Sequence, residues 1–535
     1  MADPVAQGLA SGWAAHDGAA LDRDLRLDGD AVIVGTGAGG GTCAEVLSTA
    51  GLRVVMVEEG PLASSTQFAM REAQAYPHLY QESAARKTQD KGINILQGRC
   101  VGGSTTVNWT ASFRTPPGVL AYWQRAFGLK GLSVDELGPW FAMMERRLHI
   151  ETWPVPPNEN NDVLRRGAAK LGIAAAILRR NVKGCWNLGY CGEGCPINAK
   201  QSMLVTTIPA ALSRGAVLVS RARADRLILD KDRVVRLDCA ALDAGGLRPG
   251  PFKVTVSARH YVLAAGAIGT PALLLRSRVP DPHGRIGKRT FLHPTCVSAA
   301  VMPDKVEGYA GAPQSVYCDH FLDVHAIDGP IGYKLEVPPL HPLLMATTLQ
   351  GYGKAHAERM AQMPYTQAII ALQRDGFHER SPGGEVSLRG DGTPLLHYPL
   401  TPFVWDGVRR AYLTMAEIQF AAGARTVLPI HEDAEAYGSW SQAKEAILRL
   451  DMQVLKAHVV SAHAMGGCCM GVDDRTSVVN AEGQHHHLRN LSVFDGSVFP
   501  TSLGANPQLT IYGLAARQAS ALATRLTGKS APALA

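Results

Sequence analysis

The stretch DAVIVGTGAGG at positions 30–40 decides the fold of this chain, because it joins an apolar run to a glycine-rich turn. The run at 31–34 predicts a buried strand, and the apolar pattern after the turn predicts a helix. Within Gly-x-Gly-x-x-Gly, Gly35 permits the tight turn, Gly37 lets a pyrophosphate approach the backbone, and Gly40 allows close packing of helix on strand. The pattern predicts a βαβ nucleotide-binding unit.

A second predicted strand, 54–57, ends in Glu58, which lies 23 residues after Gly35. An acid at this distance can accept hydrogen bonds from a ribose diol, and it disfavours a 2′-phosphate. An isolated glycine motif could be an ordinary turn, but here strand, helix, second strand and acid follow one another in the required order. These residues predict a dinucleotide site and leave FAD and NAD as the two candidates.

Two further segments carry a resemblance to a known family. They are GRCVGGSTTVN at 98–108 and GAIGTPALLLRS at 266–277. These two segments and the stretch from Ser461 to the C-terminus resemble the glucose–methanol–choline (GMC) family of FAD-dependent oxidoreductases. Together the three segments span most of the chain. The family's second signature usually has Ser-Gly where this chain has Ser277-Arg278, a change at a surface turn.

The resemblance implies an α/β fold, with a Rossmann-like FAD-binding domain and an α+β substrate-binding domain, the GMC oxidoreductase fold. It assigns further FAD-binding positions to Gly102, Gly103, Ser104, Asn108, Ala265, Asp495 and Thr510. Some members link FAD covalently to a histidine at the place occupied here by Val107. We therefore predict that this chain binds FAD non-covalently.

Two residues near the C-terminus are predicted to be catalytic. By the resemblance, His463 in SAHAMGGCCMG and Asn506 in GANPQLT form the family's active-site pair. Alcohol oxidation removes the O–H proton while hydride moves to flavin N5, and imidazole can take that proton because it titrates near neutrality. The Asn amide can hold the alcohol oxygen. His293 is predicted to line a domain junction, and His485–His487 to form a solvated loop rather than a metal site.

Three cysteines lie close together in GCWNLGYCGEGCP at 184–196. Cys185, Cys191 and Cys195 follow Cys-x5-Cys-x3-Cys-Pro, and thiolates in a Gly-rich loop suit an iron–sulfur core. A subset of the family, including bacterial FAD-dependent sugar dehydrogenases with a cytochrome subunit, carries this spacing with a three-iron cluster. The resemblance thus implies a [3Fe–4S] cluster, since [4Fe–4S] needs a fourth ligand. Zinc would also need a fourth ligand, and a disulfide would leave one thiol over.

The predicted organisation alternates between the two domains. Short β runs between 205 and 295 are typical of the returning part of a flavin domain. The FAD-binding domain is assigned to residues 1–115, 205–295 and 455–535. The substrate-binding domain is assigned to residues 116–204, which contain the cysteine loop 184–196, and to residues 296–454.

Length and composition limit the class of protein. At 535 residues, 46% hydrophobic and 19% charged, the chain is typical of a soluble globular protein of two or more domains. The net charge is +6, but the sequence has no Lys/Arg run, so a nucleic-acid partner is not expected. No apolar run approaches the roughly 20 residues of a membrane span, and no Sec signal is visible. We expect a cytoplasmic protein, or a periplasmic one if a signal-bearing partner subunit exports it; peripheral membrane association stays open.

The sequence as a whole predicts an FAD-dependent alcohol dehydrogenase, with an apolar, aromatic or alicyclic alcohol preferred to a polyol. Electrons would pass singly through the cluster to a cytochrome c, another acceptor subunit or a quinone-linked acceptor. The alternatives are an alcohol oxidase that produces hydrogen peroxide, a sugar dehydrogenase subunit, and a flavin-bearing assembly or redox-sensing subunit without turnover. An NAD enzyme would leave Gly102-Gly103 and Asn506-Pro507 without a role.

Overall fold

The computed structural model describes residues 3–534. It places the glycine motif at the carboxyl end of a central strand of a mixed eight-stranded sheet. Strand Leu25–Val34 lies between Val54–Val57 and Pro249–Leu263 and is parallel to both. The carboxyl halves of these strands are almost fully buried, which explains their continuous apolar runs. Because parallel strands present their carboxyl ends at the same edge, the glycine turn lies beside the ends of both neighbouring strands.

The long strand Pro249–Leu263 changes partner along its length. Its first half pairs antiparallel with Arg233–Leu242, and its last residues pair parallel with Leu491–Val493. The segment after Leu491–Val493 is thereby brought to the nucleotide edge. The other strands of this first sheet are Ala15–Asp17, Val217–Ser220 and Ala222–Asp230.

Three long helices build the first hydrophobic core with this sheet. Helix Ala38–Thr49 begins at the glycine turn and packs against the C-terminal helix Gln508–Thr527. Helix Val134–Arg147 packs against the same C-terminal helix. Its start is fixed by a capping box, in which Ser133 and Glu136 bond each other's backbone N–H groups.

A second eight-stranded sheet forms the other half of the molecule. Its centre is the antiparallel pair Thr295–Val301 and Thr366–Gln373, and helix Pro402–Ala421 packs against both strands. Together they form the second hydrophobic core. The other strands of this sheet are Ile93–Ile95, Ala176–Ile177, Val316–Cys318, Tyr333–Glu336, Thr426–Pro429 and Val459–Ser461.

Two smaller sheets complete the β structure. One consists of Lys288–Phe291, Gly384–Leu388, Pro394–His397 and Met465–Gly466, and the other of Ile150–Thr152 and Arg179–Asn181. The four-stranded sheet connects the two cores, since Phe291 belongs to the first core and Val386 to the second. The remaining α-helices are Pro4–Ala10, Glu72–Leu79, Ser104–Val107, Pro117–Phe127, Glu159–Lys170, Thr207–Leu212, Gly266–Ser277, Pro342–Thr348, Gly353–Ala361 and Trp440–Arg449. Within residues 3–534, none of the helices combines the length and the apolar character that a membrane crossing requires.

The predicted fold class is confirmed, but the packing departs from the predicted domain borders in two places. Helices Pro117–Phe127 and Val134–Arg147, assigned to the substrate-binding domain, bury residues such as Trp123 in the first core. Strands Ile93–Ile95 and Val459–Ser461, assigned to the FAD-binding domain, extend the second sheet. Local apolar patterns show that an element is buried but not against which core, so the sequence alone does not place these borders.

Candidate active site

The glycine turn has the shape that the motif predicts. Gly35 has a positive φ of 93°, and a Cβ there would lie 2.4 Å from the carbonyl oxygen of Ala264. A Cβ on Gly40 would lie 1.9 Å from the carbonyl oxygen of Gly35. Only glycine fits at either position, which lets helix Ala38–Thr49 start against the strand.

The backbone at Gly37 is unobstructed, as the close approach of a dinucleotide pyrophosphate requires. A Cβ on Gly37 would have only Gly103 Cα within 4 Å, at 3.9 Å. Gly103 has a φ of 53°, and a Cβ on it would lie 2.8 Å from Gly37 Cα, so the two predicted cofactor loops meet. Ser104 beside them is exposed, with its hydroxyl accepting a hydrogen bond from Gly98 N at 2.9 Å. Accessible backbone N–H groups at a helix start fit the phosphates of FAD.

Glu58 is buried at the end of its strand, and its carboxylate is bonded to the glycine turn. It accepts hydrogen bonds from Thr36 N at 3.0 Å, Thr36 Oγ1 at 2.7 Å and Gly60 N at 3.0 Å. Burial raises the pKa of this carboxyl, against the lowering effect of those bonds. Gly102 N donates in turn to Thr36 Oγ1 at 3.0 Å. Glu58 therefore joins the two loops, and its contact with a ribose stays a prediction.

Asp495 has a similar joining role on the other side of the turn. Its carboxylate accepts from Gly266 N at 2.8 Å, Thr270 Oγ1 at 2.6 Å and Ser497 N at 2.8 Å. Thr270 Oγ1 also accepts from Ala265 N at 3.0 Å. Burial raises the pKa of Asp495. The predicted cofactor positions Ala265 and Asp495 are thus brought together at the sheet edge.

The last two predicted cofactor residues have their side chains bonded to protein groups. Asn108 Nδ2 donates to Gln508 Oε1 at 2.7 Å, and the Thr510 hydroxyl is 2.9 Å from that of Thr115. Thr510 is fully buried and Asn108 half-buried. Both residues connect the C-terminal helix to the loop that follows Gly103, and their contact with FAD stays a prediction.

The structure brings the predicted catalytic pair together. His463 follows strand Val459–Ser461 and Asn506 precedes helix Gln508–Thr527, yet His463 Nε2 and Asn506 Nδ2 are 3.5 Å apart. Asn506 is buried and His463 half-buried. Burial lowers the pKa of the His463 imidazole to about 4, with Glu336 raising it and Lys334 lowering it. The ring is therefore neutral at physiological pH.

A buried ion pair, which the sequence analysis did not identify, holds the amide of Asn506. Lys334 Nζ donates to Asn506 Oδ1 at 2.9 Å, and Asn506 Nδ2 donates to Glu336 Oε2 at 3.2 Å. Lys334 Nζ and Glu336 Oε1 are 2.8 Å apart, with side chains 1% and 0% exposed. Burial lowers the pKa of Lys334, which also lies over the ring of Phe113. The only sequence signal was two ionisable residues at i, i+2, which share one face of a strand.

His293 also contacts the catalytic histidine, which refines its predicted place at a domain junction. His293 Nδ1 lies 3.1 Å from His463 Nδ1, and His293 is fully buried. Its backbone N–H donates to Asp375 Oδ1 at 3.2 Å. Asp375 also accepts hydrogen bonds from Leu292 N at 3.2 Å and from the Tyr398 hydroxyl. The His-Pro dipeptide at this position does not by itself predict a contact with His463.

The three cysteines of the 184–196 loop lie near one another but are not joined. All are free thiols, and burial raises the pKa of Cys185, with Cys191 and Cys195 close enough to raise it further. Asn187 N donates to Cys185 Sγ at 3.4 Å, and Arg180 Nη2 to Cys191 Sγ at 3.5 Å. Across residues 3–534, no three His, Cys, Asp or Glu side chains converge on a position for a metal ion.

The buried ammonium of Lys200 is hydrogen-bonded to the cysteine loop. Lys200 Nζ donates to Cys191 O at 2.6 Å and to Asn108 O at 2.9 Å. Burial lowers the pKa of Lys200 to about 8. Because Asn108 belongs to the predicted flavin loop, Lys200 connects that loop to the cysteines. The iron–sulfur cluster at these thiols stays a prediction.

The predicted solvated loop at His485–His487 is only partly exposed. His485 is buried, His487 Nε2 lies 3.2 Å from Asp474 Oδ2, and His486 Nε2 lies 2.9 Å from the Ser477 hydroxyl. The rings of His486 and His487 thus contact protein side chains, whereas His485 Nδ1 accepts a hydrogen bond from the backbone N–H of His487 at 3.1 Å.

A flavin-type α/β oxidoreductase is the class that this fold and site define, and comparison with known proteins agrees. Two sequence profiles, both described as GMC oxidoreductase, match residues 76–295 and 380–515. A GMC-type oxidoreductase of Sinorhizobium fredii is 30% identical over 94% of this chain and 96% of its own length. A long-chain-alcohol oxidase of Arabidopsis thaliana is 28% identical over 92% of this chain and 66% of its own.

Solved structures share the fold. Pyridoxine 4-oxidase from Mesorbium loti superimposes with a TM-score of 0.65 at 18% identity, covering 92% of this chain and 98% of its own. A formate oxidase gives 0.65 at 15% identity, over 95% of this chain and all of its own. The chain belongs to the GMC oxidoreductase family. It is an FAD-dependent oxidoreductase that acts on CH–OH donors, as the sequence predicted.

Proposed function

We propose that this protein oxidises an apolar, aromatic or alicyclic alcohol to the aldehyde or ketone, with non-covalently bound FAD. The observation that carries the proposal is the convergence of His463 and Asn506, which lie on separate segments and are held by further buried groups. The name of the Arabidopsis relative supports an apolar alcohol. FAD, held by the loops of Gly37 and Gly103, would supply the hydride acceptor.

The residues of the site would orient the alcohol. His463 Nε2 and Asn506 Nδ2 would both contact the alcohol oxygen, which directs the C–H bond that breaks. Uptake of the hydroxyl proton by His463, as the sequence suggested, requires a free lone pair on Nε2. Val107, buried where some members carry the covalent histidine, supports non-covalent binding.

Anaerobic flavin bleaching tests this proposal. The purified holoenzyme is mixed with a panel of alcohols, from long-chain and alicyclic alcohols to sugars, and the flavin absorbance is followed. We expect rapid bleaching by an apolar alcohol, slowed by deuterium at the reacting carbon. Bleaching by sugars alone would support the sugar dehydrogenase alternative, and no bleaching by any alcohol would contradict the proposal.

Two electron acceptors are supported by different observations. The spacing of Cys185, Cys191 and Cys195, beside buried Arg180 and Lys200, supports an iron–sulfur cluster with those three thiolates as its ligands. Such a cluster would pass single electrons to a cytochrome c or another acceptor subunit, for which Trp186, 66% exposed beside Cys185, offers an apolar contact. The name of the Arabidopsis relative supports oxygen as acceptor instead.

Iron analysis and an acceptor comparison separate the two. For the relay, anaerobically purified protein should contain about three irons and give a cluster EPR signal. It should also reduce a one-electron acceptor faster than oxygen. Iron-free protein that forms hydrogen peroxide stoichiometrically with alcohol would support the oxidase.

A further inference from the structure

Lys334 and Glu336 are fixed by the second sheet. Both lie on strand Tyr333–Glu336, where residues at i and i+2 share one face. Glu336 pairs with Tyr317 on one neighbouring strand and with Ile370 on the other, so the strand has little freedom to shift. The two charged side chains are therefore presented to the active site by a strand that is held at both edges.

Lys334, Glu336 and Asn506 form a closed ring of hydrogen bonds. Lys334 Nζ donates to Asn506 Oδ1 at 2.9 Å, Asn506 Nδ2 donates to Glu336 Oε2 at 3.2 Å, and Lys334 Nζ lies 2.8 Å from Glu336 Oε1. The Phe113 ring lies 3.0 Å from the same Nζ, where its face attracts the cation. All three polar residues are at most 4% exposed, so bulk water does not compete for these bonds.

This ring of hydrogen bonds can close in one sense only. An ammonium can only donate and a carboxylate can only accept, so the amide oxygen of Asn506 faces Lys334 and its nitrogen faces Glu336. Turning the amide over would place its NH₂ group against the ammonium and its oxygen against the carboxylate. Both charges therefore disfavour the turned amide, and hydrogen bonds to charged groups are about twice as strong as neutral ones.

The orientation of the amide decides which of its atoms the substrate meets. One N–H of Asn506 Nδ2 is used by Glu336, and the nitrogen lies 3.5 Å from His463 Nε2. An alcohol oxygen that enters between Asn506 and His463 can accept from the second N–H while its hydroxyl donates to the imidazole. A turned amide would offer a carbonyl oxygen instead, which competes with His463 for the hydroxyl proton and cannot stabilise negative charge on the alcohol oxygen.

We infer that Lys334 and Glu336 are positioning residues that hold the Asn506 amide with its nitrogen towards the alcohol oxygen. The inference deepens the proposed function and rests on it. When the hydroxyl proton passes to His463, the electron pair of the O–H bond stays on the alcohol oxygen, and negative charge grows there. The oriented N–H of Asn506 stabilises that charge, because it points at the oxygen before the reaction begins. Lys334 and Glu336 act on the reaction through Asn506.

Removing both charges of the ion pair tests the inference without leaving an unpaired buried charge. In Lys334→Met/Glu336→Gln the Asn506 amide can turn over. The limiting rate of anaerobic flavin bleaching at saturating alcohol should fall at least about tenfold, towards the roughly 10²–10³ that a lost oxyanion donor costs. The alcohol concentration for half-maximal rate should change little, because the donor acts on charge that develops in the transition state. A smaller fall in the limiting rate, with flavin content retained, would overturn the inference.

Asn506→Leu provides the background that separates a positioning role from a merely structural one. Without the amide the ion pair has nothing to orient, so adding Lys334→Met/Glu336→Gln should slow bleaching further by less than about twofold. The coupling between the two sites should then account for nearly the whole effect of the ion pair. Equal slowing in the wild-type and Asn506→Leu backgrounds would mean that the pair acts on the site by another route, and would overturn the inference.

Nitrogen NMR reports the amide orientation without alcohol or turnover. In holoenzyme labelled with ¹⁵N-asparagine, the side-chain amide of Asn506 is identified as the signal lost in Asn506→Leu. One of its two protons, bonded to the Glu336 carboxylate, should be shifted far downfield and exchange slowly with solvent. This shift should disappear in Lys334→Met/Glu336→Gln. A wild-type amide with two unshifted protons would overturn the inference even if the double variant does not fold.

The same samples distinguish failure of the inference from failure of the proposed function. Wild-type protein that no alcohol bleaches would contradict the proposed function and, with it, the catalytic role of the ion pair. Rapid bleaching of wild type that is unchanged in Lys334→Met/Glu336→Gln would contradict the inference alone and leave the alcohol oxidation standing.

Discussion

His463 and Asn506 are each held by side chains from other segments of the chain, whereas Cys185, Cys191 and Cys195 lie within one loop. The catalytic pair is supported by His293 and by the Lys334–Glu336 ion pair. The thiols are contacted by a backbone N–H and a guanidinium. The protein's own side chains therefore fix the geometry of the catalytic pair. The arrangement of the three thiols would instead be fixed by the group that binds them.

The largest effect is expected from removing the imidazole of the first site. His463→Ala should slow alcohol-driven flavin bleaching by about 10²–10⁴, because one positioned group at the reacting oxygen is lost. Stopped-flow absorbance at saturating alcohol measures this. The flavin spectrum and content should match wild type, since the cofactor loops of Gly37 and Gly103 do not contact the ring. A loss below about tenfold would show that the ring is not at the reacting atoms.

The ion pair behind Asn506 should have the next largest effect, on stability. Lys334→Met leaves the fully buried Glu336 without its cation, which should lower the free energy of unfolding by about 3–5 kcal/mol. Denaturant unfolding of the holoenzyme measures it. The double variant Lys334→Met/Glu336→Gln removes the unpaired charge and should recover most of the loss.

Lys200, which contacts the cysteine loop through Cys191 O, provides the matched test. It is equally buried, but its hydrogen bonds go to the carbonyls of Cys191 and Asn108. Lys200→Met leaves neutral groups unpaired, at about 1–3 kcal/mol. If Lys200→Met proved as destabilising as Lys334→Met, the contrast between the two sites would fail.

The sequence motifs predict the cofactor loops but not the contacts that hold the catalytic pair. Glycines at positions 35, 37 and 40 predict the first sheet because sterics leave few alternatives for such a turn. His463 and Asn506 could be paired only through the family resemblance. Lys334, on strand Tyr333–Glu336, and His293, in the segment before strand Thr295–Val301, contact them from more than a hundred residues away. No local pattern encodes such a contact.

The pH dependence of stability should show the burial of His463. Its pKa is about 4 when folded and near 6.5 when unfolded, so the unfolded chain binds more protons between these values. Stability is therefore lost as pH falls from 6.5 towards 4, by on the order of 2–3 kcal/mol from this ring. The difference in unfolding free energy between wild type and His463→Gln, measured at pH 7 and pH 4.5, isolates the contribution. A difference that does not change with pH would mean that the ring is not desolvated.

The smallest effect on substrate oxidation is expected from the cysteine loop. In a variant with Cys185, Cys191 and Cys195 all changed to serine, bleaching by alcohol should stay within about twofold of wild type, because none of the three thiols contacts His463 or Asn506 in the described chain. The same variant should lose any bound iron and, if the relay operates, most of its rate with a one-electron acceptor. Cys239→Ser, a buried thiol on strand Arg233–Leu242 of the first sheet, is the control for changing a cysteine as such. Bleaching slowed more than tenfold in the triple variant alone would mean that the loop helps to build the catalytic site, and the two regions would then act as one.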